Sequence, residues 1–141
     1  MSRRTARELA FKLLFQLDIQ KEEPEEQIKL FADENNLEDS DKDYILNVVC
    51  GTRESLNEID NTIEQYLKGW KISRISKVDL SILRLAVYEI LNREDIPSNV
   101  SINEAVEIAK TYSGEESGAF INGVLAKFIK ARVITSGETQ I

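Results

Sequence analysis

Arg3, Arg4, Arg7 and Lys12 face a single acid, Glu8, in the first twelve residues of a chain whose formal net charge is −7. A basic end on an acidic body points to a polyanionic partner more sharply than net charge does. On a helix turning about 100° per residue, Ala6, Leu9, Ala10, Leu13, Leu14 and Leu17 make one apolar arc. Phe11 and Phe15 are expected beyond the edge of that arc, beside Arg4 and within reach of Arg7, which is expected on the exposed side. Guanidinium groups that meet phosphates, next to rings that stack on unpaired bases, suit single-stranded nucleic acid. The same residues also fit a plainer arrangement, in which both rings widen the core stripe and the arginines are simply solvated.

Other chemistry finds little support. The chain has no histidine, which removes the commonest general base and the commonest metal ligand. Its one cysteine, Cys50, follows Val48 and Val49 and is expected to be a buried, inert thiol. Neither G-x-x-x-x-G-K-[ST] nor G-x-G-x-x-G occurs, and no carboxylate pair stands out as an acid–base couple. No catalysis, no metal and no cofactor are therefore expected. A lone cysteine fits a reducing compartment. The N-terminus has no secretory apolar core, and no apolar run approaches the roughly 20 residues of a membrane span. These features lead to the expectation of a cytoplasmic protein without a membrane partner.

Charge is segmented along the chain. Residues 13–65 hold fifteen acids against four bases, residues 66–77 hold Lys68, Lys71, Arg74 and Lys77 with no acid, and residues 78–141 are nearly balanced. The acidic segment should repel nucleic acid from its face. The 66–77 cluster fits a second phosphate contact, and it fits equally a helix C-terminus and the loop after it, with cations near the carbonyl end.

The elements that position these residues read as helical nearly throughout. The first helix spans about 3–20 and the second about 25–35. A long third helix is expected from Ser40 or Asp41 to Gly69, because Ile45, Val49, Thr52, Leu56, Ile59, Ile63 and Tyr66 recur at steps of three and four. Ser76 and Asp79 have capping-box spacing and open a helix that is apolar nearly all round, as a central helix would be. Arg84 and Glu89 are charged exceptions within it, fitting either an internal salt bridge or a partner surface. Ser101 with Glu104 reads as another capping box, opening a helix that ends at Ser113-Gly114. A last helix covers about 116–132, with Gly123 in its middle. The expected fold is all-α, a single domain over 1–134 with a flexible tail at 135–141.

Four segments carry a family resemblance: R-R-T-A-R-E-L-A-F-K-L-L-F-Q (3–16), K-V-D-L-S-I-L-R-L-A-V-Y-E (77–89), D-I-P-S-N-V-S-I-N-E-A-V-E-I-A-K (95–110) and F-I-N-G-V-L (120–125). Together they resemble the NusB family of bacterial transcription antitermination factors. The resemblance implies two packed helical sub-bundles and no catalysis. It implies a heterodimer with the ribosomal protein NusE that binds boxA, a single-stranded leader RNA element of ribosomal RNA operons. That complex helps RNA polymerase read through terminators as part of an antitermination assembly. Carried onto this sequence, the RNA surface comprises Arg3, Arg4, Arg7 and Phe15 from the first helix. Phe120, Asn122, Gly123 and Lys127 from the last helix complete it. The partner surface comprises Tyr66, Asp79 and Arg84, each of which also has a plain structural role open to it. Some family members self-associate, so a homodimer of the free chain is a further expectation. Glu115 and Glu116 lie near the expected RNA surface, where they would repel phosphate or accept from a base amino group.

Overall fold

The computed structural model describes residues 1–20 and 23–136. Among these, seven α-helices follow in order: α1 (Arg3–Gln20), α2 (Pro24–Glu34), α3 (Asp39–Glu54), α4 (Leu56–Glu64), α5 (Lys77–Asn92), α6 (Ser98–Tyr112) and α7 (Glu115–Ser136). A short 3₁₀ turn, Ile72–Arg74, precedes α5, and the described residues contain no strand. The fold is all-α, as the apolar periodicity predicts.

The order of helices along the core follows from α5. Its sequence places Ile82, Leu83, Leu85, Ala86, Val87 and Ile90 on every side, and all are buried. A helix with no polar face must be covered all round, and α5 packs against α1, α3, α4, α6 and α7. One sub-bundle is formed as α1 and α2 pack on α3, and the other as α6 pairs with α7. Ser76 caps α5, its hydroxyl accepting from the Asp79 N–H at 3.1 Å. This is the Ser76 half of the capping box read from the sequence; the Asp79 carboxylate accepts from Ser117 instead of reaching back to Ser76.

Three expectations about the elements are corrected. The long third helix is two helices, α3 and α4, bent at Ser55 (φ −104°, ψ 21°). Steps of three and four continue through a one-residue bend, so periodicity alone cannot reveal it. The bend lets Ile59 and Ile63 reach the core beside α5. In addition, α4 stops at Glu64 and does not run to Gly69. Lys68 (φ 49°) and Gly69 (φ 84°) instead turn the chain in the left-handed region. Third, α6 opens at Ser98 behind Pro97, and Ser101 lies inside its first turn with its side chain buried. Ser101 caps nothing there. At the C-terminus, α7 continues through Ser136, beyond the expected domain end at 134; residues 137–141 of the expected tail lie outside the described residues.

Candidate nucleic-acid interface

The basic residues of α1 divide into exposed and buried ones. Arg3 is exposed and its guanidinium lies 4.2 Å from the centre of the Tyr44 ring. Arg4 is 64% exposed in its side chain and forks onto Glu104, with Nε at 2.9 Å and Nη2 at 2.7 Å from the two oxygens. Hydrogen bonding to Glu104 and its charge raise the Arg4 pKa, and Arg4 in turn holds the Glu104 carboxyl below the ordinary range. Arg7 is the correction. It is 4% exposed, not on the free edge of its helix. Phe11 is likewise buried, its ring centre 5.3 Å from that of Tyr112, and Phe15 is half-buried against the core.

What draws Arg7 inward is Glu89, the acid in the middle of the apolar α5. Glu89 is fully buried. A charge there is tolerated only with partners, and it has three: Arg7 Nε donates at 3.0 and 3.2 Å, Ser101 Oγ at 2.9 Å, and the Tyr44 hydroxyl completes the set. Burial disfavours a charged Arg7, but the Glu89 carboxylate together with Tyr44 and Glu104 outweighs it and the guanidinium pKa is raised. Burial, then the Glu89 charge, push the Tyr44 hydroxyl far above the ordinary tyrosine range. One carboxylate thus ties α1, α3, α5 and α6 together. Sequence reading flagged Glu89 as an exception in its helix, but nothing in the sequence pairs it with Arg7, 82 residues away.

The second candidate surface is a groove of about 510 Å³. Phe120, Gly123 and Lys127 follow one another along one face of α7 and line it. Tyr66, Trp70 and Asp79 line it too. Three residues expected for RNA, Phe120, Gly123 and Lys127, therefore share this groove with two expected for a protein partner, Tyr66 and Asp79. Asn122 is exposed on α7 but does not line it. A Cβ added at Gly123 would meet nothing within 4 Å, so that glycine leaves open space and not a close helix crossing.

The residues expected for a protein partner have contacts inside the fold. Asp79 is buried and accepts from Ser117 Oγ at 3.1 Å. Tyr66 packs its ring 5.9 Å from that of Phe128. Arg84 does not line the groove. Its guanidinium forks onto Asp60 at 2.8 Å and lies 3.5 Å from Asp18, so its polar edge is satisfied inside the fold. The 66–77 cations also resolve. The last turn of α4 carries no basic residue, so Lys68, Lys71 and Arg74 do not sit at the end of that helix. The residue missed by sequence reading is Trp70, 60% exposed on the same groove. Its signal was a tryptophan inside a segment with four cations and no acid.

Fold and groove together define a class: an all-α scaffold around one buried helix, with rings and cations gathered on an open surface. Among the described residues no group of His, Cys, Asp and Glu could hold a metal ion, and no helix is long and apolar enough to cross a membrane. The chain belongs to the NusB family, whose sequence profile it matches over residues 4–130. It is 57% identical over 140 residues to the transcription antitermination protein NusB of Acetivibrio thermocellus, covering 99% of this chain and 97% of that one. In structure it resembles T. maritima NusB, with a TM-score of 0.86, 40% identity and 92% of each chain covered. It also resembles a crystal structure of antitermination factors NusB and NusE in complex with dsRNA, with a TM-score of 0.83 and 31% identity over 92% of this chain and 96% of that one.

Proposed function

We propose that this protein is a transcription antitermination factor that binds boxA-type single-stranded leader RNA of ribosomal RNA operons as a heterodimer with NusE. The bound complex joins the antitermination assembly and helps RNA polymerase read through terminators. The observation that carries the RNA-with-NusE part of this reading is the structural likeness to a NusB in complex with NusE and dsRNA. The single-stranded boxA preference is carried by the family resemblance and by the exposed cations and rings. In this chain the RNA contacts are Arg3 and Arg4 from α1, and Phe120, Asn122, Gly123 and Lys127 from α7, with Phe15 as a half-buried wall. Arg7 acts indirectly, by fixing the helix that displays Arg3 and Arg4. Tyr66 and Asp79 share the groove with Phe120, so the NusE and RNA surfaces are contiguous, and each ligand extends the site of the other. Without NusE, the same surface is available for self-association of the chain. The protein acts by binding, not catalysis, in the cytoplasm.

The test is fluorescence anisotropy of a labelled boxA-like RNA, a scrambled RNA and the boxA-like RNA annealed to its complement, each with and without NusE. Preferential binding to the single-stranded boxA-like RNA, tighter with NusE, is the expected result. Equal or absent binding of all three RNAs in the presence of NusE would replace this reading with that of a protein-only adaptor.

A further inference from the structure

The chain contains one tryptophan, and it is among its most exposed apolar side chains. Tryptophan is the residue that gains most from burial, and here the core-facing places beside it are already taken. Leu67 is buried on one side, and Ile72 and Ile75 pack against the core on the other. The left-handed pair Lys68 and Gly69 reverses the chain just before Trp70, and the Trp70 N–H closes the turn on the Leu67 carbonyl at 3.2 Å. An indole carried on a closed turn, between a filled core and open solvent, offers a flat face.

The cations beside it differ from the paired arginines of the protein. Arg4, Arg7, Arg84 and Arg93 all fork onto or meet carboxylates. Lys68, Arg74 and Lys127 line the groove with Trp70 and, among the described residues, have no ion pair, and neither does Lys71 beside it. Lys68 and Lys127 both line the groove, and loss of solvent, then the neighbouring Lys68, lower the pKa of the Lys127 ammonium. Two ammonium groups on one groove invite an anion between them. The acids on this groove are Glu116 and the buried Asp79. The strongly acidic 13–65 segment disfavours a polyanion on its own face.

We propose that Trp70, with Lys68, Lys127 and Arg74, forms a nucleotide platform of its own: an unpaired base stacks on the indole and the adjoining phosphodiester lies between Lys68 and Lys127. The cations alone would serve an acidic peptide as well. The exposed indole decides for single-stranded RNA, because unpaired bases present the flat π-faces that it stacks on. The inference rests on the RNA-binding reading above and extends it from α7 to the α4–α5 loop. An RNA strand crossing the groove would meet Phe120 on one wall and Trp70 on the other.

The test uses the complex with NusE and a labelled 12-nucleotide boxA-like RNA. Anisotropy is measured for the wild type, Trp70→Ala, Trp70→Phe, Phe120→Ala and the Lys68→Ala/Lys127→Ala double variant. Indole emission is followed in the same titrations, with the Trp70→Phe complex as the emission blank. The proposal expects emission quenching that saturates together with anisotropy and about tenfold weaker binding for Trp70→Ala. It also expects substantial rescue in Trp70→Phe, and a salt dependence shallower by about 1.4 in slope when the two lysines are removed. Binding with no change in emission, and with Trp70→Ala within twofold of the wild type, would overturn the platform while leaving the RNA reading to Phe120, Arg3 and Arg4. Loss of NusE capture by Trp70→Ala, with RNA affinity of the free chain unchanged, would overturn it in favour of a protein contact. Absence of RNA binding by the wild-type complex would sink both readings together.

Discussion

The Arg7 guanidinium and the Glu89 carboxylate form a buried ion pair that locks the first helix to the central one. Their atoms meet at 3.0 Å with 4% and 0% of the residues exposed. The pair costs a large desolvation, and its mutual attraction is supplemented by Ser101 and Tyr44, which satisfy the remaining carboxylate lone pairs. Removing one member leaves the other charged and buried. Arg7→Ala and Glu89→Ala should each lower stability by about 3–5 kcal/mol, seen as a melting temperature roughly 10 °C lower. Arg7→Met with Glu89→Leu should recover most of that loss. Denaturant unfolding of all three variants checks this; an Arg7→Ala protein as stable as the wild type would mean that the pair contributes nothing.

Tyr44 predicts an alkaline limb. Its folded pKa is raised, so the folded chain keeps a proton that the unfolded chain loses near the ordinary tyrosine value of about 10. The corresponding stability is complete below that value and is lost as pH rises above it. Tyr44→Phe should be less stable at neutral pH, having lost its hydrogen bond to Glu89. It should also show a flatter decline between about pH 10 and 11.5, measured by urea midpoints across that range. Parallel curves for the two proteins would count against the buried hydroxyl as the titrating group.

Glu104 predicts the acid limb, with the opposite sign. Arg4 holds its folded pKa below the ordinary glutamate value, so the unfolded chain takes up the proton first as pH falls. Its contribution is present above about pH 4.3 and disappears as pH drops through the lower folded value. Glu104→Gln should therefore lose less stability than the wild type as pH falls below about 4.3. Because Arg4 is freed in this variant, RNA affinity should also rise. A Glu104→Gln protein with weaker RNA binding would mean that Glu104 orients Arg4 for phosphate and does not compete with it.

The glycines at 51 and 123 should respond in opposite ways. A Cβ on Gly51 would overlap the ring and hydroxyl of the buried Tyr88, and Gly51→Ala should cost about 1–3 kcal/mol through overpacking. Gly123 has open space beside it, so Gly123→Ala should stabilise α7 by about 0.5–1 kcal/mol. It should also weaken RNA binding several-fold if the RNA backbone approaches there. Thermal melts and the anisotropy titration separate the two effects; RNA affinity unchanged in Gly123→Ala would remove that glycine from the interface.

Much of the helical framework could be read before any fold was known. The all-round apolar run of 77–91, the cap at Ser76 and the arc of α1 are local patterns, set by side chains three and four residues apart on one helix. The all-α class and the central position of α5 followed from them. The bend at Ser55 was not legible, because it preserves the same spacing. Ser101 matched a cap by spacing, yet the helix began three residues earlier and its hydroxyl went to Glu89.

The tertiary structure alone decided which charges face water. Arg4 and Arg7 are both basic and lie one turn apart on α1, but one is exposed and the other meets a carboxylate from a helix 82 residues away. The structure likewise brought Tyr66 and Asp79, expected for a protein partner, into one groove with Phe120 and Lys127, expected for RNA, and left Trp70 open beside them. Periodicity reports which side of a helix is apolar. It carries no information on which polar group waits across the interface, because that is fixed by the packing of segments distant in the chain.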